Sequence, residues 1–147
     1  MRIAVGADHG GFALKQEIAE YLIAQGHQVQ DFGVHSAEPA DYPDVAAMVA
    51  RAVAAGEADR AILVCGTGIG MSLAANKIPG IRAAVCTDCY MARMAREHND
   101  AQILCLGGRV LGIGSALEIV QTFLSSEFTG GRHARRVDKI SALEGKE

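Results

Sequence analysis

The run A-I-L-V at residues 61–64, continued by C-G-T-G-I-G at residues 65–70, carries the strongest structural information in the chain. Four consecutive apolar residues are typical of a strand that is buried on both faces of a parallel sheet. The glycines predict a turn after that strand, and the pattern that follows predicts a helix from about Met71 to Lys77. A buried strand, a glycine-rich turn and a helix in this order indicate an α/β protein.

The same alternation extends in both directions along the chain. Strands are predicted at residues 2–6, 27–32, 61–64, 81–85 and 101–106, and helices at residues 12–24, 45–55, 71–77, 89–98 and 115–124. With right-handed crossovers, this order predicts a three-layer α/β/α Rossmann-like sandwich with a five-stranded parallel sheet. The length of 147 residues suits one domain spanning residues 1–147, with a C-terminal helical tail from about residue 132.

Composition narrows the class of protein. Half of the residues are hydrophobic, which is enough apolar surface for one core. A net charge of −3 argues against general affinity for nucleic acids, although arginines cluster at residues 132–136. The N-terminus predicts no secretory signal, no apolar run approaches the length of a membrane span, and the four cysteines suit reduced thiols. We therefore expect a cytoplasmic protein that does not bind membranes.

Ligands in such folds bind at the carboxyl ends of the strands, so residues that directly follow strands are candidates for a site. The first such segment is G-A-D-H-G-G at residues 6–11. Its glycines let backbone amides approach a ligand, while Asp8 offers an acceptor and His9 a donor that switches with pH. The alternative is a purely structural turn with Asp8 as the helix N-cap.

The second segment is the glycine-rich turn at residues 65–70. It lacks the Lys-Ser/Thr ending of a Walker A loop, and Met71 replaces the third glycine of a dinucleotide fingerprint. Its amides lead into a helix N-terminus and form an anion-binding arrangement. Cys65 lies at the edge of this arrangement, which favours its thiolate form. The alternative is a buried structural cysteine.

Two further motifs give weaker indications of a functional site. Cys86 and Cys89 form a single C-x-x-C, but no second pair completes a zinc set, so we predict no metal site there. His98 and Asn99 lie between a helix and a strand, where His98 is either a proton-transfer group or part of a polar helix end with Asn99 in a left-handed conformation.

Arginines follow two glycine pairs near the C-terminus. Arg109 follows the first pair and Arg132 the second. On a helix, Arg132 and Arg136 share a face at i, i+4 spacing, and two guanidinium groups on one face suit a phosphate. The alternative is a solvated basic end.

Together these motifs closely resemble the ribose-5-phosphate isomerase B family, which includes allose- and galactose-6-phosphate isomerases. The resemblance covers nearly the whole chain. It is carried by G-x-D-H-x-G-F-x-L-K near the N-terminus, D-Y-P at residues 41–43, C-G-T-G-I-G-x-S-x-A-A-N-K at residues 65–77, G-I-R-A, H-N-D at residues 98–100, and G-G-R-H near the C-terminus.

The resemblance implies aldose–ketose isomerisation of a phosphopentose in the pentose phosphate pathway, through an enediolate and without metal or organic cofactor. It implies that Cys65 is the base, that Thr67 and the backbone of the turn stabilise the enediolate, and that His98 assists opening of the sugar ring. The implied substrate-binding residues are Asp8, His9, Tyr42, Gly66, Gly68, Ile69, Gly70, Asn99, Arg109, Arg132 and Arg136.

Members of that family are homodimers or homotetramers with active sites between subunits, so the arginine clamp is expected to span two chains. Three alternatives remain open from the sequence. The chain could isomerise another sugar phosphate, such as allose 6-phosphate or galactose 6-phosphate. It could bind a nucleotide or phosphate without catalysis, or it could act as a thiol redox protein through Cys86 and Cys89.

Overall fold

A computed structural model describes residues 1–145 of the chain, so Lys146 and Glu147 lie outside the described residues. Five strands alternate with helices, in the order expected from the apolar runs. The strands are β1 (Arg2–Ala7), β2 (Gln28–Asp31), β3 (Arg60–Cys65), β4 (Ala83–Val85) and β5 (Ile103–Gly107). The helices are α1 (Phe12–Ala24), α2 (Tyr42–Ala54), α3 (Ile69–Ala75), α4 (Cys89–Glu97), α5 (Ile113–Ser125) and α6 (Arg132–Ser141).

The five strands form one parallel sheet in the order β2-β1-β3-β5-β4. In the central pairing, Ala61 of β3 lies opposite Ile103 of β5, and Cys65 lies opposite Gly107. The order of connection reverses between β1 and β3, where such sheets open a crevice for ligands. The predicted Rossmann-like fold with a five-stranded parallel sheet is confirmed.

Helices cover both faces of the sheet and give the predicted three layers. On one face, Ile18, Leu22, Ile119 and Phe123 pack with alternate strand residues in a core built by α1, α4 and α5. On the other face, α2 and α3 bury a second core that includes Val49. No helix within residues 1–145 is long and apolar enough to cross a bilayer.

Helices α3 and α5 each begin two residues before the helices predicted at residues 71–77 and 115–124. Helix α3 starts at Ile69, not at Met71, because Gly68 adopts a left-handed φ of +83° and reverses the chain within the turn. Helix α2 starts at Tyr42, and Pro43 occupies its first turn, where a missing amide proton costs nothing. The starts of α2 and α3 place the candidate site residues Tyr42, Ile69 and Gly70 on helix N-termini.

The parallel sheet has two chemically distinct ends, which we call the carboxyl edge and the amino edge. The carboxyl edge contains the residues that follow β1, β3 and β5, including Asp8, the turn at 65–70 and Arg109. The amino edge contains the segment His98–Asp100, which follows α4 and precedes β5. Helix α6 lies at the amino edge, since Thr129 donates its amide and its hydroxyl to the carbonyl of Glu97.

Candidate active site

Cys65 is the last residue of β3 and ends at the carboxyl edge with only 5% of its surface exposed. The Gly68 amide donates a hydrogen bond to the Cys65 sulfur over 3.1 Å. The Cys65 carbonyl accepts from the Gly108 amide at 2.7 Å, so the strand ladder with β5 continues up to the turn. The sulfur is therefore held in one place by backbone groups on both sides of the turn.

Most of the remaining amides of the turn have no hydrogen-bond acceptor within residues 1–145. Thr67 Oγ1 accepts from the Ile69 amide at 3.2 Å, which fixes the exposed Thr67 side chain over the turn. In the part of the chain that the structure describes, the Thr67 and Gly70 amides donate to no other group. The ring of Tyr42 covers Gly70, since a Cβ atom there would lie 2.5 Å from the ring Cε1 atom. Since the Gly66 amide also has no acceptor within residues 1–145, the turn offers three unengaged donors, and Tyr42 covers the one at Gly70.

The turn after β1 packs directly beside the cysteine turn. Asp8 is buried, and its Oδ1 atom accepts from the amides of Gly10 at 2.9 Å and Gly11 at 3.2 Å. The N-cap of α1 is Gly11, so the alternative expectation of Asp8 as that N-cap was wrong; Asp8 organises the turn from three residues upstream. A Cβ atom at Gly10 would lie 3.3 Å from the Gly66 amide nitrogen, which shows how closely the two turns approach.

Two basic side chains flank these turns. His9 is exposed, and its Nδ1 atom accepts from the Ala40 amide at 3.4 Å, which ties the turn to the loop before α2. Arg109 follows β5, and a Cβ atom at Gly66 would lie 3.5 Å from its Nη1 atom. The carboxyl edge therefore brings together Asp8, His9, Tyr42, the whole turn at 65–70 and Arg109.

A buried ion pair behind this edge escaped the sequence analysis. Lys15 is 1% exposed, and its Nζ atom donates to both carboxylate oxygens of Asp31 at 2.9 and 2.8 Å and to the Val34 carbonyl. The Asp31 carboxylate also accepts from the Gly33 amide at 2.8 Å. The sequence did contain a signal for this pair, because Lys15 lies on the apolar stripe of α1 with Ile18 and Leu22.

His98 lies at the amino edge, as the C-cap of α4. Its ring stacks on that of His133, the second residue of α6, with centroids 4.0 Å apart and an angle of 10° between the planes. Burial, and then the charges of His98, Arg132 and Arg136, lower the pKa of His133. The stack therefore favours neutral imidazole at His133.

The left-handed residue beside His98 is Asp100, with φ of +48°, and the alternative expectation that Asn99 would adopt this conformation was wrong. The physical reason is that the Asp100 carboxylate is held by two arginines, one in the preceding helix and one distant in the chain. Its carboxylate accepts from Arg96 Nη1 at 3.0 Å and lies 3.5 Å from Arg82 Nη2. The sequence analysis missed both arginines, although Arg96 shares the buried face of α4 with Ala92.

The predicted site residues thus fall into two groups within one chain. Arg132 and Arg136 are exposed on α6 at i, i+4 spacing, near His98 and Asn99 at the amino edge. Strand β5 spans four residue steps, which at about 3.3 Å per residue places roughly 13 Å between the edges. One copy of the chain does not bring Cys65 and His98 to the same small molecule.

The other cysteines have environments unlike that of Cys65. All four cysteines are free thiols. Burial, followed by the negative charge of Asp88, raises the pKa of Cys86 to about 12, and complete burial raises that of Cys105 well above its usual value. Cys86 is therefore a poor attacking thiolate at neutral pH. Within residues 1–145, no group of three or more His, Cys, Asp or Glu side chains is arranged to hold a metal ion.

Comparison with known proteins agrees with this arrangement. The model of the Ribose/Galactose Isomerase family matches residues 3–140. Ribose-5-phosphate isomerase B of Escherichia coli (strain K12) is 50% identical over 143 residues, which cover 97% of this chain and 96% of that protein. A D-erythrulose-4-phosphate isomerase of Pectobacterium atrosepticum is 46% identical over 148 residues, covering 100% of this chain and 97% of that protein.

A solved structure is also similar to this chain over nearly its full length. Ribose-5-phosphate isomerase B of Clostridium thermocellum superposes with a TM-score of 0.98 at 61% identity, and 99% of each chain is covered. The family model, the curated relatives and this structure all match across nearly the full length. The chain therefore belongs to the ribose/galactose isomerase family, and the resemblance inferred from its motifs is confirmed.

Proposed function

We propose that this isomerase interconverts ribose 5-phosphate and ribulose 5-phosphate through a 1,2-enediolate, with Cys65 as the base. The observation that carries the proposal is the turn at the carboxyl edge. There the Gly68 amide donates to the Cys65 sulfur and holds it beside the unengaged amides of the turn. The Cys65 thiolate removes the proton from C2 of the open-chain aldose and delivers it to C1, while O2 loses and O1 gains a proton.

The enediolate carries negative charge on oxygen, and the turn supplies donors for that charge. The Thr67 and Gly70 amides donate to no other group within residues 1–145, and the Thr67 hydroxyl lies beside them. Donors that are fixed before the reaction stabilise developing charge at no cost of reorganisation. Asp8, His9 and Tyr42 border the same opening and are proposed to bind the sugar hydroxyls.

The second half of the site is proposed to come from another copy of the chain. His98 would assist ring opening, Asn99 would bind the sugar, and Arg132 and Arg136 would bind the phosphate together with Arg109. The separation of the two edges supports this assignment, because no rearrangement short of unfolding brings His98 of one copy to its own Cys65. A homodimer, or a tetramer built from such dimers, would place one amino edge against the other copy's carboxyl edge. The free thiols suit the reducing cytoplasm.

The direct test of the base is Cys65→Ala, with Cys89→Ala as a matched control on α4. We expect Cys65→Ala to lower kcat by about 10²–10⁴-fold with an unchanged Tm, since a positioned base contributes an effect of that size. Cys89→Ala should retain wild-type kcat. Both are measured in the presence of EDTA. Undiminished kcat for Cys65→Ala would remove the base from the proposal, and EDTA-sensitive wild-type turnover would contradict the absence of a metal.

The shared site is tested by complementation between two inactive variants. Cys65→Ala and His98→Gln chains are co-expressed with different tags, and doubly tagged dimers are isolated. If each site uses Cys65 of one copy and His98 of the other, a mixed dimer holds one intact site and recovers about half of the wild-type rate. Dimers made of two differently tagged Cys65→Ala chains are the control. A mixed dimer that is as inactive as its parents would place both residues in the same copy.

The sugar is tested by a panel of aldose phosphates ranked by kcat/KM. Ribose 5-phosphate, allose 6-phosphate, galactose 6-phosphate and erythrose 4-phosphate cover the chemistry of the named relatives and the family. We expect the highest kcat/KM for ribose 5-phosphate. A higher value for any other sugar reassigns the substrate without changing the role of the turn.

A further inference from the structure

Asp100 has an unusual backbone for a residue with a side chain. Its φ of +48° lies in the left-handed region, which costs energy for residues other than glycine. The conformation turns the chain sharply after α4, so that the Asp100 amide donates to the Arg96 carbonyl and the Ala101 amide donates to the Ala95 carbonyl. His98 and Asn99 lie inside this turn, two and one residues before Asp100.

Arg96 fixes Asp100 from the interior. It is 3% exposed, and its Nη1 atom donates to the Asp100 carboxylate at 3.0 Å and to the Ala101 carbonyl at 2.7 Å. Its guanidinium carbon lies 5.9 Å from the centre of the Phe123 ring. A buried guanidinium needs a charged partner, and Asp100 supplies it.

Arg82 fixes the same turn from the sheet side. Its Nε atom donates to the carbonyls of Asn99 at 3.0 Å and Asp100 at 3.1 Å, and its Nη2 atom donates to the Asp100 carbonyl at 3.0 Å. The Arg82 amide in turn donates to the Gln102 side chain at 2.8 Å. Arg82, directly before β4, and Arg96, in α4, therefore hold residues 99–101 through the Asp100 carboxylate and three backbone carbonyls.

We propose that Asp100, held by Arg82 and Arg96, is a positioning residue that acts through His98 to set the geometry of ring opening. This inference rests on the proposed role of His98. The stack with His133 fixes the plane of the His98 ring, while the turn at Asp100 fixes where its backbone leaves α4. Displacement of a catalytic group by about 1 Å costs up to about a hundredfold in rate. Loss of the Asp100 carboxylate should therefore lower turnover without removing a group that touches the substrate.

The experiment is a double-mutant cycle on kcat/KM for ribose 5-phosphate, with Asp100→Asn, His98→Gln and the double variant. Asparagine tolerates the left-handed region, so the backbone is retained while the charge that holds the arginines is lost. Asp100→Gly is the second variant, because it adopts the same φ without strain. Arg93→Gln is the matched control, since it removes the Arg93–Glu97 ion pair of α4 and leaves residues 98–100 untouched.

We expect Asp100→Asn to lower kcat/KM by about ten- to a hundredfold in the wild-type background and by less than about twofold when His98 is already Gln. Arg93→Gln should leave kcat/KM unchanged. Asp100→Gly should show the same dependence on His98 as Asp100→Asn. Because both variants leave the buried Arg96 without its charged partner, kcat/KM is compared at equal concentrations of folded protein.

Three results would overturn the proposal, and they differ from one another. If His98→Gln is impaired and the effects of the two substitutions multiply, Asp100 acts independently of His98 and only this inference fails. If His98→Gln alone leaves kcat/KM at the wild-type value, the proposed role of His98 fails as well. Equal losses of kcat/KM for Asp100→Asn and Arg93→Gln would show a general effect of charge on and near α4. That result would also overturn the proposal.

Discussion

The carboxyl edge and the amino edge of the sheet position their functional groups by different means. At the carboxyl edge, Cys65 and Thr67 are held by backbone amides, and glycines allow neighbouring turns to approach within van der Waals distance. At the amino edge, His98 is held by a stacked imidazole and by a turn that two arginines fix through Asp100. The carboxyl edge depends on glycines, which have no side chain and let the turns pack closely. The amino edge depends on charged side chains.

The difference predicts different sensitivities. A backbone-built site tolerates changes of charge and salt but not an added methyl group, because a neighbouring backbone cannot move aside cheaply. A site built by charged side chains is sensitive to substitutions that remove one partner of a buried ion pair and leave the other partner unpaired.

The largest effect is expected for Gly11→Ala. A Cβ atom at Gly11 would overlap the carbonyl group of Val64 in β3, so the turn after β1 and the cysteine turn could not both keep their places. We expect a loss of about 3 kcal/mol or more in the free energy of unfolding, as for severe overpacking of a core. Urea denaturation followed by circular dichroism measures it.

Gly114→Ala is the matched control for that substitution. Gly114 lies in α5, and a Cβ atom there would meet nothing within 4 Å. Replacement should leave stability unchanged or raise it by up to about 1 kcal/mol, because alanine is the better helix former. Similar losses at both positions would show that close backbone approach does not explain the behaviour of the carboxyl edge.

Lys15→Met tests a buried charge that supports the carboxyl edge from behind. It would leave the Asp31 carboxylate without its buried cation, for which we expect a loss of about 3 kcal/mol in the free energy of unfolding. Arg2→Gln is the control, because the Arg2–Asp59 pair is 50% and 40% exposed and should contribute little to stability. Equal losses in the free energy of unfolding for Lys15→Met and Arg2→Gln would mean that burial of Lys15 adds no stability to its ion pair.

The contrast also explains how much could be predicted from the sequence. The apolar run at 61–64 and the glycines at 65–70 are local signals, and they located β3, its turn and the candidate base. The position of His98 was also implicit, because a residue at the end of a helix that follows a parallel strand lies at the opposite edge of the sheet.

Other features depended on partners far away in the chain. The left-handed conformation of Asp100 is supported by Arg82, eighteen residues upstream, and no local pattern distinguishes Asp100 from Asn99. The stack of His98 on His133 joins α4 to α6 and is equally invisible to periodicity. Lys15 was the exception, since a lysine on an apolar helical stripe predicts a buried partner.

The smallest effect concerns pH at the amino edge. The pKa of His133 lies below the value of 6.5 for a free imidazole, because of burial and of the positive groups His98, Arg132 and Arg136 around it. The unfolded chain therefore binds more protons than the folded chain as pH falls through about 6.5, so stability falls with pH in that window and levels off below the lowered pKa.

His133→Gln should remove this part of the pH dependence between pH 7.5 and pH 5.5, with little change at pH 7.5, where the imidazole is neutral in both states. His35→Gln, in the exposed loop before α2, is the control and should leave the slope as it is. The measurement is Tm against pH for the three proteins in one buffer series. A slope that is steeper in His133→Gln than in the wild type would mean that protonation of His133 stabilises the fold, and the amino edge would then gain from charge on its imidazoles as well as on its arginines.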